Sequence, residues 1–304
     1  MENSKIEWTD HTANFWWGCF KVSPGCANCY AESWSRRWGK TIWGPPSTTE
    51  REYKKSAWVD VPRWNVKAMN DGVRRRVFVQ SMADFFEDHP QVVSWRNDAL
   101  SLMEECTHLD FQVLTKRPEN ITRMPPTKWR PHKWGRIPDH IWIGTSVENQ
   151  EQANKRIPEL LKVSAKIRFL SMEPLLSPVN ILNLLTSTPC PNCGNLDGEA
   201  GRCYCGSDIK PEIHWVITGG ESGVHARPLN PNWVRSIRDQ CLAAGVAFFH
   251  KQNGEWASVS EVEGAGAHHY FGDGATVQRV GKRVAGRLLD GVEWNQHPTS
   301  EAIR

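Results

Sequence analysis

The chain has 304 residues, a formal net charge of +3 and nine cysteines. That length gives one large domain or two small ones, with ample core, and the charge is too small to argue for nucleic acid by itself. No run of eighteen apolar residues is there to span a membrane. The first eight residues do not read as a signal peptide, so a cytoplasmic location is expected and the cysteines point to metals rather than disulfides. Tryptophan is abundant, 16 against 4 tyrosines. Composition does not separate core packing from stacking on bases.

Taken in order, Phe15-Trp16-Trp17 reads as a first strand or its end. Cys19, Cys26 and Cys29 follow with the spacing C-x6-C-x2-C, and the turn signal Pro24-Gly25 lets Cys19 fold back toward the other two. Residues 30–38 read as a helix. A three-thiolate loop before a helix suits a soft metal centre. Ordinary iron–sulfur clusters take four cysteines, so three would leave one iron of a four-iron cluster open to a substrate or to S-adenosylmethionine (SAM). Zinc competes, because Cys-x-x-Cys is also a zinc half-site, with His11 or Cys106 as a fourth ligand. Simple burial of the cysteines is the third reading.

Residues 40–76 are poor in periodicity and are expected to cross the surface; Arg74-Arg75-Arg76 is a solvated cluster or a phosphate contact. Then a pattern repeats. Apolar runs at 77–81, 111–117, 141–148, 167–173, 215–221 and 246–252 predict strands, two of them stopped by Pro118 and Pro174. Helical patterns fall at 90–106, 150–162 and 231–244. This alternation implies parallel βαβ units, an α/β fold approaching a partial or full parallel barrel.

Each run ends in polar groups: Ser81 with Asp84, Lys116-Arg117, Ser146 with Glu148, Ser171 with Glu173, Gly219-Gly220-Glu221, and Lys251-Gln252. In a parallel barrel these ends share the rim that holds active sites. Glu148 and Glu173 are candidates for acid/base work or for ribose and amino-group contacts, with Lys116 and Lys251 beside them. Structural ion pairing to Lys116, Arg117 or Lys251 is the competing reading. Gly219 and Gly220 would let a ligand approach the backbone, and Glu221 could accept from a ligand amine or ribose. A tight turn explains the glycines equally well.

A second cysteine group, Cys190, Cys193, Cys203 and Cys205, has the spacing C-x2-C-x9-C-x-C. Four thiolates make a closed, structural zinc site the default, with a second iron–sulfur cluster as the alternative. It reads as a small ribbon, 186–212, inserted into a main domain of residues 1–256. Cys106 and Cys241 are expected in the core. Residues 257–304, rich in Gly and carrying His268-His269, read as a C-terminal appendage with a short strand near 277, its basic residues either solvated or facing phosphates.

These residues resemble a phage and prophage family of radical-SAM-like proteins with an N-terminal three-cysteine motif. The resemblance covers most of 5–256. It rests on Ile6-Glu7-Trp8-Thr9-Asp10, Trp17-Gly18-Cys19 through Cys29-Tyr30-Ala31-Glu32, Leu114-Thr115-Lys116-Arg117-Pro118, Ser146-Val147-Glu148-Asn149, Arg168 through Pro174, Gly219-Gly220-Glu221-Ser222 and the stretch from Lys251 to Trp256. It implies a radical SAM partial barrel, a 4Fe-4S cluster on Cys19, Cys26 and Cys29, and SAM on the open iron. By that analogy Ser146, Ser171, Gly219, Gly220 and Glu221 would meet the cofactor.

Two features depart from the common pattern: the first cysteine gap is six rather than three, and Gly-Gly-Glu comes late. Similar phage proteins are linked to thymidine hypermodification. The implied activity is therefore isomerisation of an amino-acid adduct on thymidine, from N-linked to C-linked, through a deoxyadenosyl radical. The implied partners are DNA carrying a modified pyrimidine and a reductant such as flavodoxin or ferredoxin, in the cytoplasm of an infected bacterium. A radical SAM lyase for pyrimidine lesions and a non-catalytic, zinc-bound nucleic-acid-binding protein are the alternatives.

Overall fold

A computed structural model describes residues 1–124, 137–185, 198–199, 202–203, 212–262 and 264–298. The chain divides into two compact units, Met1–Thr145 with Lys162–Ile167, and Ser146–Leu161 with Arg168–Arg304. The first contains β1 (His11–Ala13), β2 (Trp16–Trp17), α1 (Tyr30–Arg37), β3 (Glu52–Tyr53), α2 (Lys55–Asp71), β4 (Arg75–Val79), α3 (Val92–Glu105), β5 (Leu109–Thr115) and β6 (Ile141–Ser146) up to Thr145. Strands β1, β4, β5 and β6 pair in parallel, with His11 opposite Val77, Val77 opposite Phe111 and Phe111 opposite Ile141. Val77, Val79, Phe111, Val113, Ile141 and Ile143 are all buried, as expected of parallel strands covered on both faces.

Two expectations need correction here. The first strand of the sheet is β1, not residues 15–17. His11-Thr12-Ala13 has no apolar signal, and its burial comes from pairing with β4. Trp16 and Trp17 pair instead with Tyr53 and Glu52 in a separate two-stranded ribbon. The stretch 40–76, expected to be irregular, holds the 17-residue α2. Its buried stripe, Ala57, Val61, Trp64 and Ala68, has helical spacing. Pro62 inside the helix and exposed Val59, Val66 and Met69 on the other face blur that pattern in the sequence. Gly72, at φ 66°, closes the helix in the left-handed conformation.

The second unit contains α4 (Gln150–Leu161), β7 (Arg168–Met172), α5 (Leu182–Leu185), β8 (Gly198–Glu199), β9 (Arg202–Cys203), β10 (Trp215–Gly219), α6 (Pro231–Ala243), β11 (Ala247–Gln252), β12 (Trp256–Ser258), β13 (His268–Tyr270), β14 (Thr276–Arg279) and α7 (Lys282–Ala285). Strand β10 lies between β7 and β11, parallel to both. Helix α6 starts where Asn230 caps it, Oδ1 accepting from the Asn232 amide at 2.9 Å, with Pro231 in the first turn. Within the units the strand orders are β1-β4-β5-β6 and β7-β10-β11. This is the parallel α/β arrangement that the alternating pattern predicts.

The segment read as an appendage is tied into this unit. Strands β12, β14 and β13 form an antiparallel sheet. The His250 amide donates to the Trp294 carbonyl and the Trp215 indole to that of Gln296. In the inserted segment, β8 and β9 pair antiparallel, Gly198 opposite Cys203. Cys190, Cys193, Cys205 and the Cys203 side chain lie outside the described residues. No helix among the described residues is long and apolar enough to cross a membrane.

Candidate functional site

In the first unit the cysteine loop lies against the C-terminal end of β5. The Arg117 guanidinium sits 3.9 Å from the Cys19 sulfur and donates to the Phe20 carbonyl at 3.0 Å. It also stacks on the Phe20 ring, 4.4 Å from the centroid. Asp84 holds it in place through a 2.8 Å ion pair, while accepting from Thr115 Oγ1 at 2.6 Å and from the Lys116 amide at 2.8 Å. Burial alone would raise the Asp84 carboxyl; Arg117 and these donors outweigh it and hold the group below its usual range.

Burial pushes the Cys19 thiol up to about 12, helped by Glu87 and opposed by Arg117. Cys29 occupies the N-cap of α1. Burial raises its thiol too, against the pull of the Glu32 and Ala31 amides and of Lys116. Those amides stop short of capping the helix with a bond to the sulfur. Cys26 ends a single 3-10 turn over Pro24–Cys26, its sulfur 3.9 Å from the Ser23 hydroxyl.

The loop is built onto a rigid frame. Gly18, at φ 110°, donates to the Met82 carbonyl, and a Cβ there would lie 2.4 Å from the Ile42 oxygen. Arg51 and Glu87 form a two-pronged pair at 2.7 and 2.8 Å, both side chains 0% exposed. The same guanidinium ties down the carbonyls of Ile42, Gly44, Thr49 and Glu50. Tyr30, next to Cys29, donates its hydroxyl proton to the Ser81 carbonyl at 2.8 Å.

In the second unit the polar strand ends form ion pairs. Glu173 meets Lys251 Nζ at 2.8 and 2.9 Å and accepts from Gln252 Nε2 at 2.7 Å. The oxygen of the Gln252 amide is buried with no partner among the described residues. Gly219 leaves room beside that cluster, since a Cβ there would lie 3.2 Å from the Glu173 carboxyl carbon. Gly220 crosses the Asn253 backbone so closely that a Cβ would lie 2.2 Å from its oxygen. Glu221 is bound by Arg227, whose amide and Nε reach one carboxylate oxygen at 2.9 and 3.0 Å. Glu148, 1% exposed, pairs with buried Arg156 at 2.8 Å, and Arg156 also donates to the Ser146 carbonyl. Ser171 is buried, and its carbonyl accepts from the Val147 amide.

Of the residues singled out in the sequence, Cys19, Cys26, Cys29 and Lys116 thus belong to one locality. Glu173, Lys251 and Gly219 belong to another, with Gly220 adjoining through its contact to Gln252. Glu148 and Glu221 spend their carboxylates on Arg156 and Arg227, the structural use of such groups. His11 and Cys106 do not join the thiol loop. Cys106 precedes β5 while Arg117 follows it, roughly 20 Å along the strand, and His11 stacks on Trp64 at 4.6 Å. Sequence reasoning missed Arg51 and Glu87; of the partners it offered Glu148 and Glu173 in the competing reading, Lys251 does pair with Glu173, while Arg117 pairs with Asp84.

Among the described residues no three His, Cys, Asp or Glu side chains converge as a metal-ligand group. The chemistry of the donor set nonetheless fits a thiolate-bound centre. Three cysteines of intermediate exposure lie in one loop, and Arg117 and Lys116 would offset the negative charge of metal-bound sulfur.

Fold and site together define a parallel α/β protein with a three-thiol loop beside cations at a strand end. The chain belongs to the family described as protein of unknown function DUF5131, whose model matches residues 3–298. No curated protein and no solved structure matches it.

Proposed function

We propose that the protein is a radical SAM enzyme of phage DNA hypermodification. In this reading Cys19, Cys26 and Cys29 hold a 4Fe-4S cluster, and the four cysteines of 190–205 hold a structural zinc. The substrate is an amino-acid adduct on thymidine, isomerised from N-linked to C-linked. The observation that supports this best is the thiol loop itself, with Arg117 3.9 Å from Cys19 and Lys116 close enough to act on Cys29. When bound, such a cluster supplies the electron for reductive cleavage of SAM.

The residues of the chain do the rest. Phe20 and Arg117 cover the Cys19 side of the loop from water, and Asp84 keeps Arg117 in register. Glu173 and Lys251 are assigned to the amino-acid adduct, Lys251 to its carboxylate and Glu173 to a proton on its amine. DNA carrying the modified pyrimidine and a reductant of the flavodoxin or ferredoxin kind are the partners, in the cytoplasm of an infected bacterium.

The test is iron, sulfide and zinc content of anaerobically purified protein, with 5′-deoxyadenosine release from SAM under dithionite. About four irons per chain are expected at the first site, lost with SAM cleavage in Cys26→Ala. Zinc alone with no visible absorption after iron–sulfur reconstitution would overturn the reading, and so would full SAM cleavage by Cys26→Ala.

A further inference from the structure

Helix α1, which carries Cys29 at its N-cap, presents a face that core packing does not explain. Tyr30, Trp34 and Trp38 recur every four residues and so line one side of the helix. They are 55%, 39% and 67% exposed. Large aromatic surface left in water is costly, and a contiguous run of it marks a binding surface. The row is also held in place. Tyr30 is anchored through its hydroxyl to Ser81, Trp34 meets the Trp17 ring edge-on at 5.0 Å, and Trp38 lies 5.7 Å from Trp34. From Tyr30 to Trp38 the row covers about 12 Å of helix.

Cations border it. Lys54 Nζ sits 3.4 Å above the Trp17 ring, with Lys40 farther out at 5.9 Å. Arg36 and Arg37 occupy the last turn of α1. Among the described residues two carboxylates answer them, and each is shared: Glu32 by Lys21 and Arg36, Glu52 by Lys40 and Lys54. Arg37 is exposed and has no ion-pair partner among the described residues.

We propose that this row is a stacking platform for single-stranded nucleic acid. Exposed aromatic faces interleaved with cations are what an unpaired strand needs, since each base offers a π-face and each phosphate a charge. In a duplex those faces are already stacked on one another. An aliphatic groove for a protein helix is a poor alternative, because the only aliphatic residue of α1, Ala31, is buried. The proposal rests on the nucleic-acid part of the reading above and is independent of the iron chemistry.

The experiment measures fluorescence anisotropy of a labelled oligothymidylate and of a matched duplex, using the anaerobically reconstituted full chain. Wild type is compared with Trp34→Ala, Trp38→Ala and Arg37→Glu. Iron content and thermal midpoint of every variant show that it is folded and loaded. The single strand is expected to bind more tightly than the duplex, with an affinity that falls as salt rises. Each tryptophan variant should weaken it roughly 10-fold, and Arg37→Glu should weaken it and flatten the salt dependence.

Wild-type affinity in both tryptophan variants would overturn the platform and leave the DNA reading standing. If wild type bound neither strand form, the platform and the nucleic-acid reading would fall together, while SAM cleavage by the same sample would keep the radical assignment. Intact oligonucleotide binding with impaired flavodoxin-driven SAM cleavage in Trp38→Ala would give the face to the reductant and overturn the proposal.

Discussion

Arg51 carries more of the first unit's geometry than its place in the sequence suggests. Its guanidinium is wholly buried against Glu87 and also gathers four carbonyls of residues 42–50. Gly44, within that segment, donates to the Cys19 carbonyl, so the pair reaches the thiol loop through one hydrogen bond. Removing one partner of a buried pair leaves a charge with nothing to offset its desolvation, typically about 3–5 kcal/mol. Glu87→Gln keeps one acceptor, so a loss near the lower end is expected, read as a shift of the urea midpoint at constant slope. The double variant Arg51→Met with Glu87→Leu leaves no buried charge but strands the four carbonyls that the guanidinium holds, so it should cost more than Glu87→Gln. A single-variant loss below about 1 kcal/mol, the range of exposed pairs, would show that the frame is held elsewhere.

At the scale of elements, the glycines of the second unit sort by what surrounds them. Gly220 passes Asn253 so closely that a methyl group would lie 2.2 Å from a backbone oxygen, and a methyl group on the opposite Gly254 would lie 2.1 Å from the Glu221 carbonyl oxygen. Neither backbone can yield without opening the ends of β10 and β11. Gly39, at the end of α1, has a positive φ but open space. Gly39→Ala should therefore cost only the left-handed penalty, about 1–2 kcal/mol. Gly220→Ala should cost clearly more and loosen the Glu173–Lys251 cluster, since Gln252 bonds both Gly220 and Glu173. Thermal midpoints of the two variants, side by side, check this.

The same elements show what could be read beforehand. Strands β4, β5, β6, β7, β10 and β11 announced themselves as apolar runs, two of them stopped by a proline. The thiol loop did so because its three cysteines are local in sequence. Helix α2 was hidden by Pro62 and by apolar residues on its wet face, and β1 by being three residues long. Arg51 with Glu87, 36 residues apart, and Asp84 with Arg117 carry no local signal at all. Strand pairing and loop packing bring them together, and neither is written in the spacing.

For the molecule as a whole, buried histidines set the response to acid. His250 is fully buried between Thr218 and Asn253. The Asn253 amide nitrogen donates to the Ala285 and Leu288 carbonyls, so its oxygen faces the ring and Nε2 carries the proton. Nδ1 then accepts from the Thr218 hydroxyl, and the imidazole is neutral. Burial pushes its pKa down to about 4, and nearby Arg287 adds to that against the Asn253 bond. His11 and His214 are also held below their ordinary value, mainly by burial.

A depressed histidine pKa favours the folded state while both states are neutral, above 6.5. As pH falls from there toward 4 the unfolded chain takes up the proton first, so stability drops with acid across that window. For His250 the drop is on the order of 3 kcal/mol, with smaller losses in the same direction from His11 and His214. Carboxylates such as Asp84, held low in the folded state, lose their contribution only below about pH 4 and so leave the window clear. Urea midpoints at pH 7, 5.5 and 4.5 should therefore fall steadily. In His250→Gln, which can still donate to Asn253 and accept from Thr218, the fall should be distinctly shallower. An equal slope in wild type and variant would mean that His250 takes its proton without unfolding, against the neutral ring that its two hydrogen bonds require.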